Sequence, residues 1–490
     1  IVDADSVNSY KITYTCGRRP IETGMGISMH VPTQGWSAPV LKPGECGYVE
    51  VDTDADATLE TYLPEGPNTV HWVCFKVVKG SVKPGNKINI YYGGEGENGL
   101  GAEAANFIGD FTFMMAFTLN PFPKYAASLW SPQHPGYCIF ANRLELEPVT
   151  ATVGGKAARL HLTLPSTAQT GSQVDLVAQL MDRCHNPASR AEIVDATLRW
   201  YTGEELEKIV FANEPYRRDV KIAMPETEGV YYLFAEWNGE IWMSNPVEVK
   251  KTIDKSVYWG DLHAQGAQSD GHGEPEEYFR RARYDSCLDI SCLTDHSDGI
   301  CFPIMLASNE LRENKWDNLN RITGEVYAPG RFVVFPAMEL SSDVKRYPSG
   351  LRERNHRNAY FYDENDSVCL NWREFPSSND WYRFLEPTKY MIIPHTHTAR
   401  VDCRYHNPKT ERVIEIMSDK GSGEFFHRPD MSATRDHGGV LEFLKRGFRV
   451  GLVGSGDYHH NTPGRHFPLK EKAGFASCEL DMAGLAAIRA

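Results

Sequence analysis

The sequence predicts a multidomain chain in which β-sandwich units come first and an α/β domain follows. Three observations carry this reading. The length of 490 residues exceeds the usual single-domain range. Short strand-like runs in the first half are punctuated by Gly, Pro and Asn, and past Lys251 apolar runs of strand length alternate with helix-like segments.

Residues 1–155 form the first expected unit, a β-rich, sandwich-like domain with a strand at Lys87 to Tyr92. The stretch Ala102 to Phe117 reads as either a short helix or a buried strand, because periodicity does not separate the two. Residues 156–251 form the second unit, immunoglobulin-like. Strands are expected at Leu160 to Leu164 and Val174 to Leu180, and turns at Thr170-Gly171, Asn186-Pro187 and Asn238-Gly239. Residues 252–490 form the third. Its strands are expected at Leu288 to Thr294, Arg331 to Met338, Lys389 to Ile393, Arg412 to Met417 and Arg449 to Val453. Its best helix begins at Glu274-Pro275-Glu276-Glu277, with Pro at the first helical position and acids in the first turn, and runs to about Asp285.

Composition excludes several classes. A net charge of -14 argues against a nucleic-acid partner, which calls for a basic surface. No run reaches the roughly 20 apolar residues of a membrane helix. The eleven cysteines are scattered, without a C-x-x-C pair, so reduced and mostly buried thiols are expected in a cytoplasmic setting. No signal peptide is visible at Ile1. The ten Trp and 23 Tyr permit carbohydrate stacking, but core packing is their commoner use.

Candidate metal ligands recur at or just beyond expected strand ends: Asp261-Leu262-His263-Ala264-Gln265, Ser269-Asp270-Gly271, Thr294-Asp295-His296, Met338-Glu339-Leu340, Asn355-His356, Pro394-His395-Thr396-His397 and Gly456-Asp457-Tyr458-His459-His460. A single histidine in such a place is ordinarily a hydrogen-bonded residue. Repetition is the argument. Imidazoles with carboxylates suit first-row transition metals, and alternate residues of an extended strand, such as Asp457 and His459, share a face.

Gly260 to Asp298, GDLHAQGAQSDGHGEPEEYFRRARYDSCLDISCLTDHSD, resembles the opening of the PHP superfamily, named for polymerase and histidinol phosphatase. The family pattern is D-L-H-x-H, then S-D-G, a P-E-E helix and a strand ending in T-D-H. Glu339, His356, His395, Asp457 and His459 follow in the family's order, and the resemblance covers roughly residues 253–470. It implies a distorted seven-stranded β/α barrel with a trinuclear site. Carried over, His263, Gln265, Glu339 and Asp457 would hold one ion, Glu339 would bridge to a second held by His356 and His395, and Asp270, His296 and His459 would hold the third. His406 and His427 compete for the position given to His356, which falls in an insertion-like loop. Gln265 departs from the family, which has histidine there, and an amide is the poorer ligand for zinc-like ions.

The resemblance implies a metal-dependent hydrolase using metal-activated hydroxide at a di- or trinuclear site of Zn, Mn or Fe, with a small, anionic phosphoester as the favoured substrate. His397 is a candidate for catalysis or for an orienting role, with Arg357 and Arg400 as further catalytic candidates. Arg352, Arg354 and Arg404 are candidate anion binders, on a basic segment from Lys345 to Arg357 and after Pro394-His395; a solvated basic loop is the bland alternative. The rival functions are hydrolysis of a carboxylic ester, lactone or amide on the same site, and a carbohydrate- or partner-binding protein with a degenerate barrel.

Overall fold

A computed structural model describes residues 1–32, 35–64, 70–94, 99–118, 149–189, 194–203, 205–211, 216–269, 271–300, 315–344, 353–370, 375, 378–396, 401–418, 421–424, 439–461 and 463. The described residues are dominated by short strands in many small sheets, with few helices. The chain divides into two compact units, Ile1–Gly155 and Lys156–Ala490, so 156–251 and 252–490 lie within one unit. None of the described helices is long and apolar enough to cross a membrane.

The first unit is built almost wholly from antiparallel strands. Lys87–Tyr92 pairs with Tyr10–Thr15 and Val49–Thr53, and Trp72–Val82 pairs with Gly26–His30, Ala57–Tyr62 and Ile21–Glu22. The ambiguity over Ala102 to Phe117 resolves as strand: Ala102–Glu103, Gly109–Thr112 and Met114–Thr118 all pair with neighbours. Phe111 and Phe113 pack edge-on against Trp36, and such aromatic burial favours a pleated core over a helix.

In the second unit, residues up to Lys250 form three antiparallel-rich sheets around a core that includes Leu162, Leu176, Leu198, Trp200, Phe211, Leu233 and Trp237. The Asn238-Gly239 turn joins Leu233–Trp237 to Glu240–Met243. Both turn residues have positive φ, 53° and 75°, as a two-residue hairpin turn matched to strand twist requires. These sheets grip the α/β part directly. The helix Pro275–Tyr284 ends where Gln179 Nε2 donates to the Tyr284 carbonyl at 2.7 Å, Arg217 Nη1 donates to the same oxygen, and Tyr216 OH donates to Asp285 Oδ1 at 2.7 Å. The carbonyls left open at the end of a helix thus find donors from a different sheet.

Beyond residue 251, Gly260–Asp261, Ile290–Ser291 and Val333–Val334 pair in parallel, and Val413–Ser418 pairs in parallel with Gly451–Gly454. Ala337–Val344, Glu353–Phe361 and Tyr390–Pro394 form an antiparallel sheet. Single parallel bridges add Ala264 to Tyr458, His296 to Glu339 and His395 to Glu415. One expectation needs correction here: His356 is not in a loop but within the Glu353–Phe361 strand. Its neighbours Arg357 and Asn358 are buried polar residues, which hid an apolar strand pattern from the sequence. Seven described cysteines are free, whereas Cys369 is disulfide-bonded.

Candidate metal centre

The strand ends bring together His263, Gln265, His296, Glu339, His356, His395 and Asp457, and with them Glu415. Three overlapping ligand groups result: His263, Glu339 and Asp457; His296, Glu339 and His356; and His263, His395 and Glu415. Within each group the ligand atoms lie within 4.8 Å of one another. All of these side chains are buried except that of His296, which is 15% exposed.

Backbone pairing fixes the positions. Asp457 N donates to the His263 carbonyl at 2.6 Å and Gln265 N donates to the Tyr458 carbonyl at 2.8 Å. Gly456 N donates to Asp261 Oδ1 at 2.9 Å, and a Cβ on Gly456 would fall 2.1 Å from the Tyr458 ring, so only glycine fits there. Asp457 has φ 53°, in the left-handed region that Asp tolerates better than most residues. In the antiparallel hairpin Glu339 is opposite Asn358 and His356 lies two residues before Asn358 on the same strand, so the side chains of Glu339, His356 and Asn358 share one face of the sheet.

Glu339 is the hub. Its Oε2 accepts from Gln265 Nε2 at 2.7 Å and lies 3.3 Å from His263 Nε2 and 3.4 Å from His296 Nδ1, while Oε1 accepts from His356 Nδ1. Burial raises the Glu339 pKa, but His296, His356 and His263 outweigh it and hold the carboxyl well below the usual carboxylate range. Burial opposes charging of His263 too, yet Glu415, Asp457 and Glu339 keep the imidazole well above its ordinary value. For His395 burial is likewise overcome by Glu415 and Asp457, which push it up to about 9. Protons therefore compensate the buried carboxylates, and ions are the other species that can do so, since ligation requires those imidazoles to lose a proton.

Two features fit a metal. The donor set of imidazoles and carboxylates is that of first-row divalent ions. Asn358, buried and opposite Glu339, has neither amide atom hydrogen-bonded among the described residues. Such an orphan costs about 1–3 kcal/mol in a site built for nothing else.

Not every expected residue joins the cluster. Asp270, His397, Arg400 and Arg352 lie outside the described residues, as do Lys345, Arg346 and His427. Arg354 is opposite Asp343 in the hairpin register. His459 Nδ1 donates to the Asp457 carbonyl at 3.0 Å and belongs to none of the three ligand groups. Arg357, expected to be catalytic, is corrected by its surroundings: it points to the opposite sheet face from His356. There its Nε donates to Glu411 at 2.6 Å and its Nη2 to the Asp402 carbonyl at 3.1 Å. Arg404 is paired with Asp402, Nε to Oδ1 at 2.9 Å. His406, the rival of His356, instead donates to Glu411 at 2.7 Å and packs on Phe448.

Sequence reasoning missed Glu415. Its signal was a lone acid inside an apolar run, Val413-Ile414-Glu415-Ile416-Met417, where a buried charge needs partners. The partners are His263 and His395, and His263 with His395 holds the Glu415 pKa below its ordinary value against the effect of burial.

No family model matches the chain, and no curated protein matches it. Among solved structures, the chain is similar to the Lin-41 filamin domain at 19% identity, over 20% of this chain and 100% of that one, with a TM-score of 0.16. It is similar to the sulfur carrier protein SoxY from Chlorobium limicola f thiosulfatophilum at 9% identity, over 19% and 82%, with a TM-score of 0.14. A third similarity, to PhoD, is at 12% identity over 36% and 37%, with a TM-score of 0.17. Scores this low carry no argument about fold or function, and the reading rests on the geometry of the buried cluster.

Proposed function

We propose that residues 252–490 form a distorted seven-stranded β/α barrel carrying a metal-dependent hydrolase site, with phosphoesters as the favoured substrate class. The barrel is supported by strand pairings that return on themselves. Segments starting at Gly260, Ile290, Val333, Glu353, Tyr390, Val413 and Gly451 each adjoin the next, and the Ala264–Tyr458 bridge joins the last to the first. The single observation carrying the function is that four imidazoles and three carboxylates, one from each of these seven segments, meet at one buried place.

His263, Glu339 and Asp457 would hold one ion, with Glu339 shared by a second position made by His356, His395 and His296; two or three Zn, Mn or Fe ions are the proposed complement. A bound divalent ion would supply Lewis-acid activation of water and of the scissile group. The protein's own part is preorganisation. Glu339 gathers donors from four residues, Asp457 is held in place through its backbone by the His263 carbonyl, and burial excludes bulk water from both. Gln265, which can offer only amide hydrogens to a carboxylate, directs its Nε2 at Glu339.

The test is elemental analysis of protein purified without chelator, joined to turnover of phosphomonoesters, phosphodiesters and carboxylic esters. Bound divalent metal and metal-dependent phosphoester hydrolysis are expected. Metal-free protein that no added metal stimulates would overturn the reading, and turnover confined to carboxylic esters would move it to that substrate class.

A further inference from the structure

We propose that Glu415 is a positioning residue whose one carboxylate orients both His263 and His395 for ligation, so that two metal positions depend on a single side chain. The inference rests on the metal-site reading above. His263 Nδ1 donates to Glu415 Oε2 at 2.8 Å, and His395 Nδ1 donates to Oε1 of the same group. A carboxylate only accepts, so both Nδ1 atoms carry hydrogen. That leaves Nε2 as the ligating atom on each ring.

The Nε2 atoms are where ligands would converge. His263 Nε2 lies 3.4 Å from Asp457 Oδ1 and His395 Nε2 lies 3.4 Å from Asp457 Oδ2. Two imidazoles, edge to face with centroids 4.5 Å apart, are therefore held between Glu415 behind and Asp457 in front. The main chain sets the spacing: His395 and Glu415 form a parallel bridge, and Thr396 Oγ1 donates to the Glu415 carbonyl. Glu415 is 1% exposed, so water does not replace it. One carboxylate serving two histidines extends the usual arrangement in which each ligating imidazole has its own partner.

The same three residues could instead hold an ion among themselves, with Glu415 as a direct ligand. The two roles make opposite demands on Nδ1, since a ligating nitrogen carries no hydrogen. In the Glu415→Gln variant the amide oxygen accepts from one Nδ1, but its NH2 faces the other. That ring must then turn its lone pair to Nδ1 and its hydrogen to Nε2, which blocks ligation there. One position should fail while the other survives.

The experiment titrates Co(II) into the metal-free protein spanning residues 1–490, followed by visible absorption and by proton NMR of the shifted, exchangeable imidazole N–H signals. The wild type should show such signals from His263 and His395, identified by their loss in single His variants. Glu415→Gln should lose one signal and bind one equivalent about 10- to 100-fold more weakly; Glu415→Asp should restore part of the affinity. Circular dichroism checks folding, and Glu415→Asp carries the test if Glu415→Gln does not fold. Unchanged stoichiometry and signals in the variants would overturn the proposal, as would wild-type protein that binds Co(II) without Nδ1–H signals. A wild type that binds no Co(II) would remove the metal-site reading itself.

Discussion

Replacing Arg357 by Leu should unfold the second unit early rather than disable a reaction. Arg357 and Glu411 are both fully buried, with Nε and Oε1 2.6 Å apart. Burial alone would raise the Glu411 pKa; Arg357, with His406 and Tyr382, holds it below its ordinary value. Removing one partner of a buried pair typically costs about 3–5 kcal/mol, because the other charge stays behind without solvent. The lower end, about 3 kcal/mol, is expected here, since His406, Tyr382 and the Asn407 N–H still donate to Glu411. For a unit as large as Lys156–Ala490 that is a fall in Tm of roughly 4 °C. The double variant Arg357→Leu, Glu411→Leu should recover most of it, as apolar replacement of a buried pair is often neutral. Scanning calorimetry on the full chain reads both. An unchanged Tm with lost metal-dependent turnover would refute this account and return Arg357 to catalysis.

Glu339→Gln should leave the circular dichroism intact and remove most bound metal, because the charge that four donors share is gone; retained metal content would place the ions elsewhere. Gln265→His should tighten metal binding while lowering turnover of the native substrate, and unchanged affinity would take position 265 out of the ligand set. Asn358→Leu should raise the Tm of metal-free protein by relieving a desolvated amide worth about 1–3 kcal/mol, and should weaken metal affinity; a lower Tm would mean that the amide has partners. In the first unit, burial and the nearby His71 depress His30 to about 3. A depressed histidine favours the folded state while neutral, so its contribution is complete above the unfolded value near 6.5 and is lost as pH falls toward 3. The loss is on the order of 4 kcal/mol. His30→Gln should flatten this acid limb, and identical acid titrations of the two proteins would remove His30 as its cause.

Much of the architecture was legible because apolar periodicity survives wherever strands bury plain side chains. Lys87–Tyr92 falls where its alternation predicts, and the helix Pro275–Tyr284 begins at the proline that marks its first turn. The strand Glu353–Phe361 was illegible for the converse reason: His356, Arg357 and Asn358 are buried polar residues, and the partners of His356 and Arg357 are distant in sequence, so their run resembles a basic loop. Most of the clustered residues could be read from motif order, but the partners of Glu415 could not. It supports rather than opens a motif, and only the pairing of its strand beside His395 shows what it touches. Gln265 was visible as a departure, and its hydrogen bond to Glu339 gives that departure a physical content.

The grip on the carbonyl of Tyr284 by Gln179 and Arg217 bears on how the chain can be shortened. A cut near residue 251 would look natural from composition, yet it would discard both donors and Tyr216, the partner of Asp285. The helix Pro275–Tyr284 would then end on open carbonyls. A cut between Gly155 and Lys156 keeps those donors with the helix they serve. The smallest piece expected to bind metal as the full chain does therefore begins with the sheets between Arg159 and Lys250, which hold the end of that helix in place.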